Sequence, residues 1–339
     1  NILARRAVVS VLAMVAFVFS GSALATNGYF THGVGTQSKG MAGTGVGSNA
    51  DMGAIMTASN PALGVFVEDN WEAGLSVFSP RRSYQAFESQ LNGGIIDLDG
   101  DGASPLDPDD LPSHTIAVGK VDSSSEFFPI PYFAKNWSLQ NDANITLAFY
   151  GRGGMNTDWD DSSVTATSYF CGVTELGGPE TGPGPYCAGK AGVDLSQAFL
   201  NFNYSKKSGD NFAWGIGPVF AVQAFEANGV QTFQAVSKTC VSTFDPGTGG
   251  CTLPTSLSNN GHDMSYGFGF TGGLWLGFSE TFSAGISYQS KISMGEFDDY
   301  SDLYAEAGGF DIPSSLKVGF SVITSDTVSY THLTLPTTG

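Results

Sequence analysis

The run Phe282-Ser283-Ala284-Gly285-Ile286-Ser287-Tyr288-Gln289 sets Phe, Ala, Ile and Tyr against Ser, Gly, Ser and Gln in strict alternation. Successive residues of an extended chain face opposite sides, so this period-two pattern predicts a strand with one greasy face and one small or polar face. The pattern recurs. Leu200, Phe202 and Tyr204 alternate with Phe199, Asn201, Asn203 and Ser205, and Leu316, Val318, Phe320 and Val322 with Lys317, Gly319 and Ser321. Working outward gives eight candidate strands, at 71–79, 126–138, 143–152, 195–206, 211–225, 264–278, 281–294 and 313–323. Most are near or above the roughly 9–11 residues that a tilted strand needs to cross a bilayer.

The connections sharpen the reading. They run long (80–125), short (139–142), long (153–194), short (207–210), long (226–263), short (279–280) and long (295–312). Outer-membrane barrels have short periplasmic turns and long extracellular loops. Composition fits: 45 glycines and 12% aromatic residues accompany only 14% charged residues, whereas a soluble acidic protein carries more surface charge. The predicted class is all-β, a transmembrane antiparallel barrel. A net charge of −18 makes nucleic acid an unsuitable partner.

The chain opens Asn1-Ile2-Leu3-Ala4-Arg5-Arg6, continues apolar from Ala7 to Phe19 and closes with Ala23-Leu24-Ala25. A basic start, a short apolar run and an A-x-A site read as a cleaved secretory signal peptide, too short for a spanning helix. Most of the 32 acidic residues fall in the four long loops. Plain solvation accounts for that, and so does bridging by divalent cations to lipopolysaccharide. The four cysteines fall there too, Cys171 and Cys187 in the second long loop and Cys240 and Cys251 in the third. Pairing within each loop is the simplest of the three connectivities. The first loop carries Asp97, Asp99 and Asp101 at alternate positions before Gly102, as an EF-hand calcium loop begins, but Pro108 stands where the bidentate Glu belongs. A calcium site and a solvated acidic loop both remain open; otherwise no cofactor is expected.

Residues 26–64 show no strand periodicity. Dense Gly, Ala and Ser with apolar Met41, Val46, Met52, Ile55 and Met56 describe a compact segment, not a solvated tail. A barrel can hold such a segment as a plug. The aromatic start Asn27-Gly28-Tyr29-Phe30, the step Gly33-Val34-Gly35, the Gly/Ala run at 40–47, Asp51 and Asn60-Pro61-Ala62 resemble the N-terminal hatch of the FadL-type outer-membrane transporters, which include the TodX-like hydrocarbon channels. Residues 147–159, with Gly151-Arg152-Gly153-Gly154, resemble that family's third strand, and Asp311-Ile312-Pro313 the approach to a later one. The resemblance implies a fourteen-stranded barrel plugged by the hatch, passive entry of fatty acids or hydrocarbons, and lateral release through a gap at the third strand. It gives Phe30, Gly33, Gly35, Asn60, Pro61 and Ala62 to the hatch, and Gly151 to Gly154 to the opening. A carboxylated cargo would want a basic partner, for which Arg152 and Lys39 are candidates.

The expected organisation is a signal peptide (1–25), a hatch (26–64), an incomplete barrel (65–325) and a tail (326–339). The tail, reading VSYTHLTLPTTG from Val328, fits neither a ninth strand nor a closing one and has the look of an assembly or adapter artefact. The expected setting is the bacterial outer membrane, as a monomer among lipid and lipopolysaccharide. Two rivals stand beside transport of hydrophobic molecules. A polar-solute porin or an adhesive barrel would suit the wall, but charge is nearly absent from the presumed inward positions Phe199, Gly215, Gly217, Val219, Ser283, Ser287 and Gln289. Strands 211–225 and 264–278 read as apolar on both faces. An enzyme would need an activated nucleophile, and none of His32, His114, His262 and His332 has a Ser or Asp at suggestive spacing.

Overall fold

The computed structural model describes residues 26–336 apart from 28, 50–52, 88–94, 97–110, 113, 161–163, 174–178, 246, 248–249, 305 and 325–326. The segment read as a signal peptide, Asp51 and the Asp97, Asp99 and Asp101 motif lie outside the described residues. The wall is built from β1 (Trp71–Phe78), β2 (Phe128–Ser138), β3 (Ala143–Trp159), β4 (Ala191–Lys207), β5 (Phe212–Asn228), β6 (Asp263–Ser279), β7 (Phe282–Gln289), β8 (Ser315–Thr324) and β9 (Thr327–Pro336). These pair antiparallel in sequence order within one 12-stranded sheet, whose remaining members are two-residue strands. Among the described residues no helix is long and apolar enough to cross a membrane.

The sheet is inside out relative to a globular core. On β6 the outward residues Tyr266, Phe268, Phe270 and Phe278 are 64%, 43%, 54% and 61% exposed. Its inward Ser265, Thr271 and Trp275 are buried. The neighbours repeat this: Asn201, Asn203 and Ser205 on β4, Gln223 on β5 and Ser283 and Ser287 on β7 are buried, while Phe202, Ile216, Phe220 and Ile286 face out. Large contiguous apolar surface of this kind is what a lipid-facing wall requires.

Four expectations need correcting. The third strand does not stop at 152 but runs through its glycines to Trp159. The strand placed at 281–294 breaks after Gln289, with Ser293–Met294 a separate short strand. The tail is a strand: β9 pairs with β8 from Thr324↔Thr327 to Ser315↔Pro336, because a run rich in Thr, Val and Tyr favours extended chain. Finally, 264–278 is not apolar on both faces. Its aromatics point outward, and its inner face is largely glycine, Ser265 and Thr271 with a single Trp.

The N-terminal segment lies against the inner face near the short turns. It holds helix α1 (Gly35–Gly40) and two 3-10 helices, Ala54–Ala58 and Pro61–Phe66. The segment read as strand-free also contributes the short strands Thr26–Asn27 and Phe30–Thr31. Ile55, Met56, Leu63 and Ala62 are fully buried and form the main apolar cluster with Ala148, Tyr150, Phe199 and Trp275 of the wall. The disulfides join Cys171 to Cys187 and Cys240 to Cys251, each within its own loop.

Candidate functional site

The floor of the site is made by Asn60-Pro61-Ala62. Asn60 leaves the helical region, caps the 3-10 helix by accepting from Ala62 N–H (3.0 Å), and donates to the carbonyls of Val46 (2.8 Å) and Leu274 (3.1 Å). Pro61 follows at the first helical position, where its missing N–H is no loss. The wall meets this backbone with glycines paired across strands, Gly215 with Gly273 and Gly285 with Gly319. A Cβ at Gly215 would lie 2.4 Å from the Pro61 carbonyl carbon, and one at Gly285 2.1 Å from the Val46 oxygen. Side chains of the wall tie down the rest: Trp275 Nε1 (3.0 Å) and Ser283 Oγ (2.7 Å) donate to Gly47 O, and Asn136 Nδ2 to Val67 O (2.8 Å). Ile55 N–H donates to the Glu72 carboxylate at 3.4 Å. Gly33 and Gly35 take left-handed conformations at φ +74° and +78°, and a Cβ at Gly35 would collide with Ile55.

Towards the long-loop end the hatch is sewn to β3. Phe30 pairs with Gly153, Gly154 N–H donates to Tyr29 O (3.0 Å), and Thr31 Oγ1 to Arg152 O (3.3 Å). The β3–β4 register shifts between Gly151 and Gly153, which makes Arg152 a bulged residue. Its side chain is buried, and its guanidinium lies 4.8 Å over the Phe30 ring. Tyr150 stacks on Phe199 beside it, with ring centroids 5.4 Å apart. Among the described residues no carboxylate pairs with Arg152. A second buried cation, Lys317, lies on β8.

At this level the wall opens. β2 and β3 pair from Asn144↔Ser138 only as far as Tyr150↔Tyr132. Beyond, β2 stays with β1 through Phe78↔Phe128 and leaves β3 without its neighbour. A cavity of about 980 Å³ lies at the parting, bounded by Phe128, Ile130 and Pro131 on one side, Gly151 to Met155 on the other, and Tyr29 and Thr31 of the hatch. Its lining also includes inward Leu195 and Gln197 and outward Phe149 and Met264, so it meets both faces of the wall.

The segment 295–312 roofs the interior. Phe297 and Tyr300 are fully buried and pack with Leu195 and Phe225 of the wall and with Tyr29 of the hatch. Its root is closed by an Ile292–Ile312 bridge, an ion pair from Lys291 Nζ to Asp311 Oδ2 (2.6 Å), and Met294 N–H donating to Asp311 Oδ1 (2.7 Å). Gln223 Nε2 donates to Phe310 O at 2.9 Å.

The structure thus brings together Phe30 and the Gly151 to Gly154 group, and places Gly33, Gly35, Asn60, Pro61 and Ala62 in the plug beneath them. Of the two candidate basic partners, Arg152 lines the cavity and Lys39 does not. Sequence reasoning passed over Pro129 and Pro131, although Pro-x-Pro inside a strand is a legible signal. It also passed over Glu72 and Lys317 as site residues, and it set aside His262, whose ring nitrogens meet Asp194 (3.2 Å) and Glu226 (3.1 Å) at the loop end.

No protein-family model matches this sequence, and no curated protein matches it. Solved structures do. The Pseudomonas putida toluene transporter TodX superposes with a TM-score of 0.55 at 14% identity, over 90% of this chain and 70% of that one. The Ralstonia pickettii toluene transporter TbuX gives 0.53 at 16% identity, over 87% and 69%. The chain has the fold of TodX and TbuX. A TodX variant described as a monoaromatic hydrocarbon channel, with a deletion designated S2S3, matches likewise at 0.53 and 18% identity, over 87% and 67%. At these identities the likeness is one of fold. Within the TodX-like fold, this chain's plug, bulge and wall opening are its own observed features.

Proposed function

We propose that this protein is an outer-membrane channel that admits hydrophobic small molecules passively and releases them sideways into the membrane. The observation that carries the reading is the cavity at the parting of β2 and β3, which meets the buried Arg152 and Leu195 and the outward Phe149 and Met264 alike. A greasy solute gains free energy by leaving into lipid, at roughly 25 cal/mol per Å² of apolar surface kept from water. A hatch that fills the floor stops water and polar solutes from following the same path. On this reading the long loops face outside, and the short turns and hatch face the periplasm. Export would use the N-terminal signal peptide.

The cargo class follows from Arg152, which lines this cavity. Among the described residues no acidic side chain pairs with Arg152, and a buried cation is costly unless something anionic joins it, so the site favours an amphipathic carboxylate such as a long-chain fatty acid over a neutral hydrocarbon. The test is uptake of labelled oleate and labelled toluene by a host lacking its own long-chain fatty-acid channel and expressing the full-length protein. Oleate uptake is expected, and Arg152→Gln should lower it about tenfold or more, because charge-assisted hydrogen bonds contribute about 1.5–3 kcal/mol. Toluene uptake should change little. If the assembled barrel admits neither compound, the channel reading fails; equal loss of both on Arg152→Gln removes the carboxylate preference.

A further inference from the structure

The parting of β2 from β3 has a cause in the backbone. In an antiparallel ladder, alternate N–H groups of a strand point to opposite neighbours. Asn136 N–H donates to Asn70 O, beside β1, whereas Leu139 N–H donates to Ala143 O at the start of β3. Even-numbered residues of this segment therefore aim their donors at β1 and odd-numbered ones at β3. Pro129 and Pro131 are both odd, and proline has no N–H. The donors erased are those that would join β2 to β3, beginning at the first position past the last pair, Tyr150↔Tyr132. Nothing is lost on the other flank, where Val77↔Pro129 and Leu75↔Pro131 remain paired. A central strand rarely tolerates proline, and an edge strand does so when the missing donor faces outward. β2 is thus central below Tyr132 and an edge above it.

The opposing edge is altered to match. The bulge at Arg152 reverses the alternation of β3, so that Gly154 N–H points away from β4 and bonds Tyr29 O of the hatch. The hatch strand Phe30–Thr31 stands where β2 would otherwise run. If it moved with no prolines present, β2 could close on the freed edge and seal the wall.

We infer that Pro129 and Pro131 are positioning residues that hold the lateral opening, by denying β2 the donors with which it would zip onto β3. This rests on the proposed lateral release, and the test separates the two. The full-length protein, wild type and Pro129→Thr/Pro131→Thr, is compared by hydrogen–deuterium exchange of the peptide covering 151–159 and by the concentration dependence of oleate uptake. Pro131→Thr alone, which restores only the donor next to the intact ladder, serves if the double variant assembles poorly. Closure should slow exchange of the β3 edge amides about tenfold, the scale of one net hydrogen bond. It should also lower the maximal uptake rate with little change in half-saturation, since capture lies on the other side of the opening. Protection with lost uptake supports both proposals. Protection with unchanged uptake shows that the prolines hold the gap but that cargo leaves elsewhere. Exchange unchanged in both variants overturns the inference, whatever the uptake.

Discussion

Asn60 concentrates the binding of the hatch in one side chain. It is fully buried, and its amide donates to two carbonyls, Val46 and Leu274, and accepts from Ala62 N–H. Asn60→Ala should therefore loosen the floor by about 2–3 kcal/mol, the sum of a lost cap and the lost bonds to the two carbonyls. Asn60→Asp keeps the cap but loses the donors and should fall between. Protease nicking near residue 60 in the folded barrel would report this, and a rate equal to wild type in Asn60→Ala would show that glycine packing alone holds the plug. Packing makes the complementary prediction. Gly285→Val would push its side chain into the Val46 carbonyl, so the hatch should lift locally while the strand, where valine is favoured, persists. Asn60-Pro61-Ala62 was legible through its resemblance to the hatch, but the need for Gly285 arises from residues more than two hundred positions away. Only the folded chain brings them together.

The segment 295–312 belongs to the scale of elements, because its root holds a roof in place. Asp311 is partly buried, which alone would raise its pKa. The hydrogen bonds from Lys291 and Met294 N–H and the Lys291 charge outweigh this and hold it below its ordinary value of 3.8. A carboxylate depressed on folding contributes stability above its unfolded pKa and loses that contribution as pH falls through the folded value. The roof should therefore be firm at neutral pH and loosen only below about pH 4. Pepsin cleavage within 295–312, compared at each pH between wild type and Lys291→Met, tests this. The variant should be cut faster at pH 5 and converge with wild type in stronger acid, while identical curves would remove the ion pair from any role. At this scale much was legible. Alternation located eight wall strands because burial on one face has period two, and loop lengths gave their directions. Alternation alone stopped β3 at 152, because glycines 151, 153 and 154 carry no side chains to alternate, and only the family resemblance over 147–159 reached Trp159. The roof was passed over because Phe297, Tyr300 and Tyr304, spaced i, i+3, i+7, do not alternate. The polar inner face of β6 was misread, since aromatics flanked by glycine look apolar on both sides until the register is known.

The molecule as a whole is a polar-lined wall made dry by what it contains. Asn136, Thr146, Asn201, Asn203, Ser205 and Ser283 face inward, and the hatch covers them while placing Ile55, Met56 and Leu63 out of water. Each of those three apolar side chains contributes about 1.5–3 kcal/mol of seating free energy. On the proposed reading the wall rests on ladders between strands and on lipid outside, neither of which needs the hatch. Deleting residues 26–66 should therefore leave an assembled, heat-modifiable barrel, whose exposed lining, rich in Asn, Ser and Thr, hydrates readily. In a planar bilayer the intact protein should be nearly silent and the deletion should conduct ions, while oleate uptake by cells loses its saturable component. Failure of the deletion to assemble would mean that β7 and β8, whose glycines Gly285 and Gly319 seat the hatch at Val46 and Gly47, need that contact to pair. An assembled but silent deletion would move the barrier to the roof at 295–312. Combining it with Lys291→Met should then restore conductance, because one seal would remain and its root would be weakened.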